Sequence, residues 1–137
     1  MSVFVDTSVW YAAADSGDTH NTRACDILSQ REKWVTTDHV LLESWLLLRH
    51  RLGRPAALTF WQGLRCGIAQ IECVTVADLE SAWAIVERFP DQDFSLGDCT
   101  SFAVMHRLGI RRVASFDKDF IIYRFGNDAS AAFDIIQ

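Results

Sequence analysis

Short apolar runs alternate with longer amphipathic segments along the whole chain. Strand-like runs occur at residues 3–6, 34–36, 71–76, 113–116 and 133–136. Helical patterns lie between them, at residues 8–14, 21–30, 39–52, 55–67, 78–89, 96–108 and, as a short turn, 117–124. Strands that alternate with helices predict a parallel sheet with helices on both faces. We therefore expect an α/β protein, a three-layer α/β/α sandwich with a central, mostly parallel sheet of four to five strands.

The length of the chain predicts one domain. The chain has 137 residues, half of them hydrophobic, with only two prolines and seven glycines. Such a chain buries a sizeable core, so we expect a single domain over residues 1–137. Its longest apolar runs, such as residues 45–48, are far shorter than the roughly 20 residues of a membrane span. Its first residues lack the basic flank of a signal peptide, and we expect a cytoplasmic protein.

Charge and cysteine content narrow the function further. A net charge of −5 argues against a general nucleic-acid-binding protein, which is usually basic. Basic residues still cluster locally, either as solvated helix ends or as contacts for a ligand; the clusters are Arg49, Arg51 and Arg54, and Arg107, Arg111, Arg112 and Lys118. The four cysteines form no CxxC pair, and no histidine lies at metal-ligand spacing from them. We expect buried, reduced thiols rather than a zinc site.

Four acidic residues lie where a predicted element begins or ends. Asp6 closes the first strand, Asp117 closes the fourth, and Glu43 and Asp98 lie near the starts of apolar helices. Ligands of an open α/β sheet gather at the carboxyl ends of its strands, where the strand order reverses. Each acid also has a purely structural explanation: an Asx turn at Asp6, a capping box of Asp98 with Ser95, a solvated helix stripe at Glu43, and a helix cap at Asp117.

Convergence of these acids predicts a metal site. Carboxylates in close contact repel one another, and each raises the pKa of its neighbours. A divalent cation supplies the compensating charge, and an all-oxygen ligand set suits Mg²⁺ or Mn²⁺ rather than zinc. Such a cation binds a phosphate oxygen and lowers the pKa of a bound water. The four acids therefore favour phosphodiester hydrolysis.

Resemblance to a known family rests on four segments in order, VFVDTSVWYA, HVLLESWLLL, FSLGDCTSFAVMHRLGI and VASFDKDF. Together they resemble the PIN-domain ribonucleases, and most closely the VapC-type toxins of bacterial toxin–antitoxin pairs, over residues 3–125. The resemblance implies that Asp6, Glu43 and Asp98 are the three core acids and Asp117 the usual fourth. Asp119 is a possible further metal ligand.

The same resemblance implies cofactors and partners. Proteins of this type cut single-stranded or looped RNA with Mg²⁺ or Mn²⁺ and are usually homodimers, and a cognate antitoxin places a basic side chain among the acids. Small polar residues near the metal match Thr7, Ser8 and Ser115. Contacts to RNA fall to local basic residues, namely Arg49, Arg51, Arg54 and Lys118. The segment DSGDTH at residues 15–20 matches a variable loop with no catalytic role, and Asp93 is either an outer ligand or a solvated loop acid.

The sequence thus predicts a metal-dependent endoribonuclease, the toxin of a toxin–antitoxin pair. Asp6, Asp98 and Asp117 hold one or two cations, Glu43 binds directly or through water, and a metal-activated water attacks phosphorus in line. Two alternatives remain open. The first is a non-catalytic binding module whose acids receive a partner's arginine or lysine. The second is an aspartyl phosphatase or phosphotransferase with Asp6 as nucleophile, although the second acid of the haloacid-dehalogenase type is replaced here by Ser8.

Overall fold

The computed structural model describes all residues from 1 to 137 and contains five strands and seven helices. In chain order these are β1 (Ser2–Val5), α1 (Thr7–Ala14), α2 (Asn21–Leu28), β2 (Lys33–Thr37), α3 (Asp38–Arg51), α4 (Arg54–Arg65), β3 (Gln70–Glu72), α5 (Val76–Arg88), α6 (Leu96–Leu108), β4 (Arg112–Ala114), α7 (Lys118–Ile122) and β5 (Asp134–Ile136). None of the helices is both long enough and apolar enough to cross a membrane.

The five strands form one sheet in the order β3-β2-β1-β4-β5, and every pair is parallel. On β1, Phe4 lies opposite Val35 of β2 on one side and Val113 of β4 on the other. The chain adds β2 and β3 on one side of β1 and then crosses to add β4 and β5 on the other. Strand order therefore reverses between β1 and β4, the position where such sheets bind ligands. The predicted α/β architecture is confirmed.

The core lies around β1 and holds the helices in place. Val3, Phe4 and Val5 are fully buried, as expected for a central parallel strand that is covered on both faces. Helices α1 to α4 pack with one another, and α5 packs with α6. Phe102 of α6 stacks on Tyr123, which follows α7, with ring centroids 4.2 Å apart. This contact fixes α6, and with it the residues of its first turn.

Helix α3 begins at Asp38, one residue before the predicted start, and α2 begins at Asn21 as predicted. Thr37 caps α3, because its hydroxyl accepts the backbone N–H of Val40 in the first turn at 3.0 Å. At α2, His20 takes the cap position, and its side chain makes no capping bond.

The prediction of buried cysteines is wrong for three of the four. All are free thiols, but Cys25, Cys66 and Cys73 are exposed and only Cys99 is buried. The exposed thiols lie on peripheral segments: on α2, at the end of α4, and just past the edge strand β3. Cys99 is buried because it belongs to the face of α6 that packs into the core.

Candidate metal centre and active site

A cavity of about 330 Å³ lies beside the carboxyl ends of β1 and β4 and is lined by six carboxylates. These belong to Asp6, Glu43, Asp93, Asp98, Asp117 and Asp119. The remaining lining residues are Thr7, Ser8, Ser95 and one hydrophobic residue, Leu47. The structure thus brings together all four acids that the sequence singled out, along with the possible further ligand Asp119. Their catalytic roles stay predictions.

Asp6 both caps a helix and lines the cavity. Its Oδ2 accepts hydrogen bonds from the Ser8 backbone N–H at 3.3 Å, the Ser8 hydroxyl at 2.8 Å and the Ser115 hydroxyl at 3.0 Å. Its Oδ1 accepts none from the protein. Burial raises the pKa of Asp6 to about 6, and these hydrogen bonds offset part of the rise. The Asx turn and the site are therefore two uses of the same side chain.

Asp98 lies in a helix start that is only half capped. Its backbone N–H donates to the Ser95 hydroxyl at 3.0 Å, but its carboxylate makes no bond back to the Ser95 N–H. The same spacing at Thr75 and Asp78 forms a complete capping box, with bonds of 2.9 and 3.1 Å. A capping box is therefore not the role of the Asp98 carboxylate, which instead lines the cavity.

Three carboxylates form the tightest group in the cavity. Oxygens of Asp98, Asp117 and Asp119 lie within 4.8 Å of one another, and the Asp119 N–H donates to Asp117 Oδ1 at 2.9 Å. Burial raises the pKa of Asp98, and the neighbouring carboxyl of Asp119 raises it further. Such a group lacks a counter-charge, and an all-oxygen donor set fits a hard divalent cation. Asp6 and Glu43 lie in the same cavity but outside this tightest group.

Glu43 reaches the cavity from α3 and is fixed by α1. The Thr7 hydroxyl donates to Glu43 Oε2 at 3.1 Å. Gly97 of α6 lies against the same oxygen, since a Cβ at that position would stand 3.5 Å from it. Three helices therefore meet at this carboxylate, which explains how an exposed acid on α3 becomes part of the site.

The basic residues predicted to contact RNA lie outside the cavity. The Arg51 guanidinium lies over the Tyr11 ring, 5.2 Å from its centroid. Arg51 follows Leu47 by one helical turn, so it continues the face of α3 that lines the cavity. The other basic candidates are exposed and do not line it: Arg49, Arg54 and Lys118.

The sequence left Asp93 open between an outer ligand and a solvated loop acid, and it gave no sign of the contact that His20 makes. Asp93 lines the cavity as one of its six carboxylates, from the loop before α6. His20 stacks on Phe116, with ring centroids 4.3 Å apart and planes at 11°. Phe116 directly precedes Asp117, so the loop at residues 15–20 approaches the site, although no catalytic role is expected of it.

Known proteins of similar sequence identify the family. The family profile of the PIN domain matches residues 3–126. The chain belongs to the PIN-domain family. Among relatives of this PIN domain, the 23S rRNA-specific endonuclease VapC20 of Mycobacterium tuberculosis is 37% identical over 119 residues, which cover 86% of this chain and 91% of VapC20. Ribonuclease VapC26 of the same species is 23% identical over 117 residues, or 85% of this chain and 87% of VapC26.

Solved structures agree with this assignment. The crystal structure of VapC20, a toxin that cleaves the sarcin–ricin loop, has a TM-score of 0.82 at 36% identity and covers 87% of this PIN domain and 92% of that chain. VapBC2 from Rickettsia felis, bound to a promoter DNA fragment, matches with a TM-score of 0.67 at 7% identity over 88% and 91% of the two chains. A toxin–antitoxin complex from Klebsiella pneumoniae matches with 0.63 at 10% identity over 98% and 96%. The last two structures show the fold alone. The match to VapC20 confirms the resemblance to VapC-type PIN domains.

Proposed function

We propose that this PIN domain is a divalent-metal-dependent endoribonuclease and the toxin of a toxin–antitoxin pair. The observation that carries the proposal is the convergence of Asp6, Glu43, Asp98, Asp117 and Asp119 in one cavity at the reversal of strand order. The similarity to the endonuclease VapC20 over most of both chains supports it.

In this proposal the protein holds a cation and positions the reacting groups. Mg²⁺ or Mn²⁺, when bound, supplies the charge that lowers the pKa of a water and stabilises the phosphoryl oxygens. Asp98, Asp117 and Asp119 hold it, as the chemistry of their oxygens permits. Ser8 and Ser115 anchor Asp6 through Oδ2, which leaves Oδ1 for the site.

A protein nucleophile is not required by this arrangement. Neither histidine, cysteine nor lysine lines the cavity, so its hydroxyls have no neighbouring side-chain base other than carboxylates. Attack by water on phosphorus then leaves a 5′-phosphate and a 3′-hydroxyl. The aspartyl phosphatase alternative lacks support from the geometry, because Ser8 donates to Asp6 where a second acid would be needed.

The first candidate substrate is 23S rRNA, because the relative VapC20 is a 23S rRNA-specific endonuclease. Six carboxylates repel phosphate, so attraction to RNA has to come from basic residues outside the cavity. Arg51 is the best placed of these, because the Tyr11 ring holds it one turn beyond the cavity. We assign weaker contacts to the exposed Arg49, Arg54 and Lys118. Ribosomal RNA as substrate places the activity in the cytoplasm.

The proposed antitoxin covers the acid cavity. Burial and mutual repulsion of the carboxylates raise the pKa values of Asp6 and Asp98. A positive charge brought into the cavity relieves this repulsion, and an arginine or lysine side chain of a partner supplies one. The likeness to VapC20, which is described as a toxin, supports such a partner. Growth arrest on expression without the partner, relieved by Asp6→Ala, is the expected cellular result.

The proposed homodimer rests on exposed apolar side chains of α3 and α4. Leu42 and Leu46 are 59% and 66% exposed, and Trp61 is 37% exposed. Leu42 and Trp61 also line one apolar cavity of about 480 Å³. Burial of this surface in a second copy removes it from water. Sedimentation should give a dimer for the wild type and a monomer for Leu46→Glu; a wild-type monomer contradicts this part of the proposal.

The test of the proposed function is cleavage of total bacterial ribosomal RNA by the purified protein. We expect discrete cuts in Mg²⁺ or Mn²⁺, none in EDTA, and 5′-phosphate ends on the fragments. Intact RNA, no metal uptake by calorimetry and tight binding of an arginine-rich peptide would support the binding module instead. A phosphate trapped on Asp6 would support the phosphatase.

A further inference from the structure

His20 and Phe116 form a parallel aromatic pair, and Phe116 directly precedes the cavity residue Asp117. Their centroids are 4.3 Å apart and their planes meet at 11°. Phe116 is half-buried, whereas His20 is exposed. The Phe116 backbone N–H donates to the Ser8 hydroxyl at 2.9 Å, and Asp117 follows Phe116 directly. Both Ser8 and Asp117 line the cavity, so the Phe116 backbone lies directly beside it, while the two rings lie outside its lining.

The loop that carries His20 is held by its own hydrogen bonds. Asp15 accepts the Tyr11 hydroxyl at 2.7 Å and the Gly17 N–H at 2.9 Å. Asp18 accepts the His20 N–H at 2.8 Å. A side chain presented on such a loop loses little freedom when it binds a partner, because its backbone is already ordered.

Charge alone cannot hold RNA at this site. Six carboxylates line the cavity and the chain carries a net charge of −5. Stacking of a base on an aromatic side chain does not depend on net charge and strengthens the binding of single-stranded nucleic acid. Two other aromatic residues are next to cavity residues in sequence, and both are engaged in the core. Phe94 packs against Phe89, Phe102 and Tyr123, and the fully buried Phe120 packs against Phe102.

We propose that His20, backed by Phe116, stacks on an unpaired nucleobase next to the scissile phosphate and thereby selects the position of the cut. The inference rests on the proposed ribonuclease function, and it adds a required contact with one exposed base beside the cut. A base in a duplex has no free face for His20. Phe116 packs in parallel against the His20 ring.

The test removes the His20 side chain and the base separately and together, and compares the resulting losses in cleavage. Wild-type cuts are mapped on bacterial ribosomal RNA, and a synthetic RNA spanning one cut is made with either the natural base or an abasic sugar on each side of the cut. We expect the wild type to lose about 10- to 100-fold in kcat/KM on one abasic RNA, as for one stacked base. His20→Ala should show that loss on the natural RNA and no further loss on the abasic RNA.

Two further variants separate stacking from folding. His20→Phe keeps a stacking ring and should retain cleavage of the natural RNA. His39→Ala removes an exposed histidine of α3 that does not line the cavity, and it should behave as the wild type on both RNAs. A lower melting temperature of His20→Ala leaves the comparison intact, because coupling is the ratio between two RNAs within each variant.

The outcomes distinguish this inference from the proposed function. Independent losses from His20→Ala and from the abasic site, or equal cleavage of every RNA, overturn the stacking contact and leave the nuclease in place. A wild type that cuts no RNA overturns both.

Discussion

Ser115 donates a hydrogen bond to Asp6, with 3.0 Å between Ser115 Oγ and Asp6 Oδ2. The bond joins the carboxyl ends of β1 and β4, between which the strand order reverses. The same hydroxyl accepts the backbone N–H of Asp117 at 3.0 Å. One buried serine therefore positions two carboxylates that lie far apart in the sequence.

Ser115→Ala should weaken both the fold and the site. The substitution leaves the Asp117 N–H without its partner and removes one of the bonds that lower the pKa of Asp6. We expect the free energy of unfolding, measured with urea, to fall by about 1–3 kcal/mol, as for a buried group left unsatisfied. Ser29→Ala, which removes an exposed hydroxyl bonded to the Asp26 carbonyl, is the control. Equal losses in the two variants would contradict this role of Ser115.

Metal-free stability should depend on the protonation of Asp6. Its pKa rises from 3.8 to about 6 on folding, so the folded state keeps a proton that the unfolded state loses between these pH values. Stability contributed at Asp6 is therefore lost as pH rises from about 4 to 6, by roughly 3 kcal/mol. In EDTA, the free energy of unfolding of Asp6→Asn, measured with urea, should rise relative to that of the wild type as the pH increases over this range. Asp26→Asn, which changes an exposed carboxylate, should show no such pH-dependent rise. If the difference in unfolding free energy between Asp6→Asn and the wild type is the same at every pH, the linkage to Asp6 is refuted.

Asp119 and Asp93 should differ in metal binding although both line the cavity. Only Asp119 has an oxygen within 4.8 Å of those of Asp98 and Asp117. A cation that binds the folded state raises its stability by about 2.7 kcal/mol at 100 times its Kd. In a thermal-melting titration with MnCl2, we expect Asp119→Asn to lose most of this rise and Asp93→Asn to keep most of it. The reverse order would mean that the tightest carboxylate group is not the metal site.

Arg107 should contribute to stability without contributing to cleavage. Its guanidinium contacts Asp78 at 2.8 and 2.9 Å and Glu72 at 2.9 Å. Arg107→Ala leaves the buried carboxylate of Asp78 without a cation, and we expect a loss of about 2–3 kcal/mol because the arginine is partly exposed. Cleavage per folded molecule should not change, since Arg107 lies outside the cavity.

The pH dependence of the Arg107 contact provides its check. The hydrogen bond with Arg107 lowers the pKa of Asp78. This contribution is present above the ordinary pKa of aspartate and is lost as the pH falls through the lowered value. The cost of Arg107→Ala should therefore shrink in acid. Arg112→Ala, which breaks the single contact with Glu32 at 3.2 Å, should cost less at neutral pH, and a larger cost would contradict this ranking.

Elements with clear end signals could be predicted from the sequence. Helix α6 has the predicted bounds because Ser95 caps its start and Gly109, at φ 68°, adopts the left-handed conformation past its end. The acids could be predicted as a group because Asp6 and Asp117 follow neighbouring parallel strands. Strand β3 ends at Glu72 rather than at residue 76, since Thr75 caps α5.

Features that depend on three-dimensional context could not be predicted. Ser95–Asp98 and Thr75–Asp78 have the same spacing, yet only the second pair forms the reciprocal capping bonds. Asp98 lies beside other carboxylates of the cavity, and the spacing of residues within one helix start does not reveal such neighbours. The stack of His20 on Phe116 depends likewise on the path of the loop at residues 15–20.

Single-turnover cleavage of the mapped ribosomal RNA fragment by the wild type and by Asp98→Asn, both with Mg²⁺, tests the central claim most directly. Asn keeps the size of the side chain but removes its charge, and circular dichroism checks that the variant is folded. Asp98→Asn weakens the hold on the metal, which stabilises the transition state by several kcal/mol. We therefore expect a cleavage rate at least about 100-fold lower for Asp98→Asn. A folded Asp98→Asn variant that cuts at the wild-type rate would show that this carboxylate cavity is not the nuclease site.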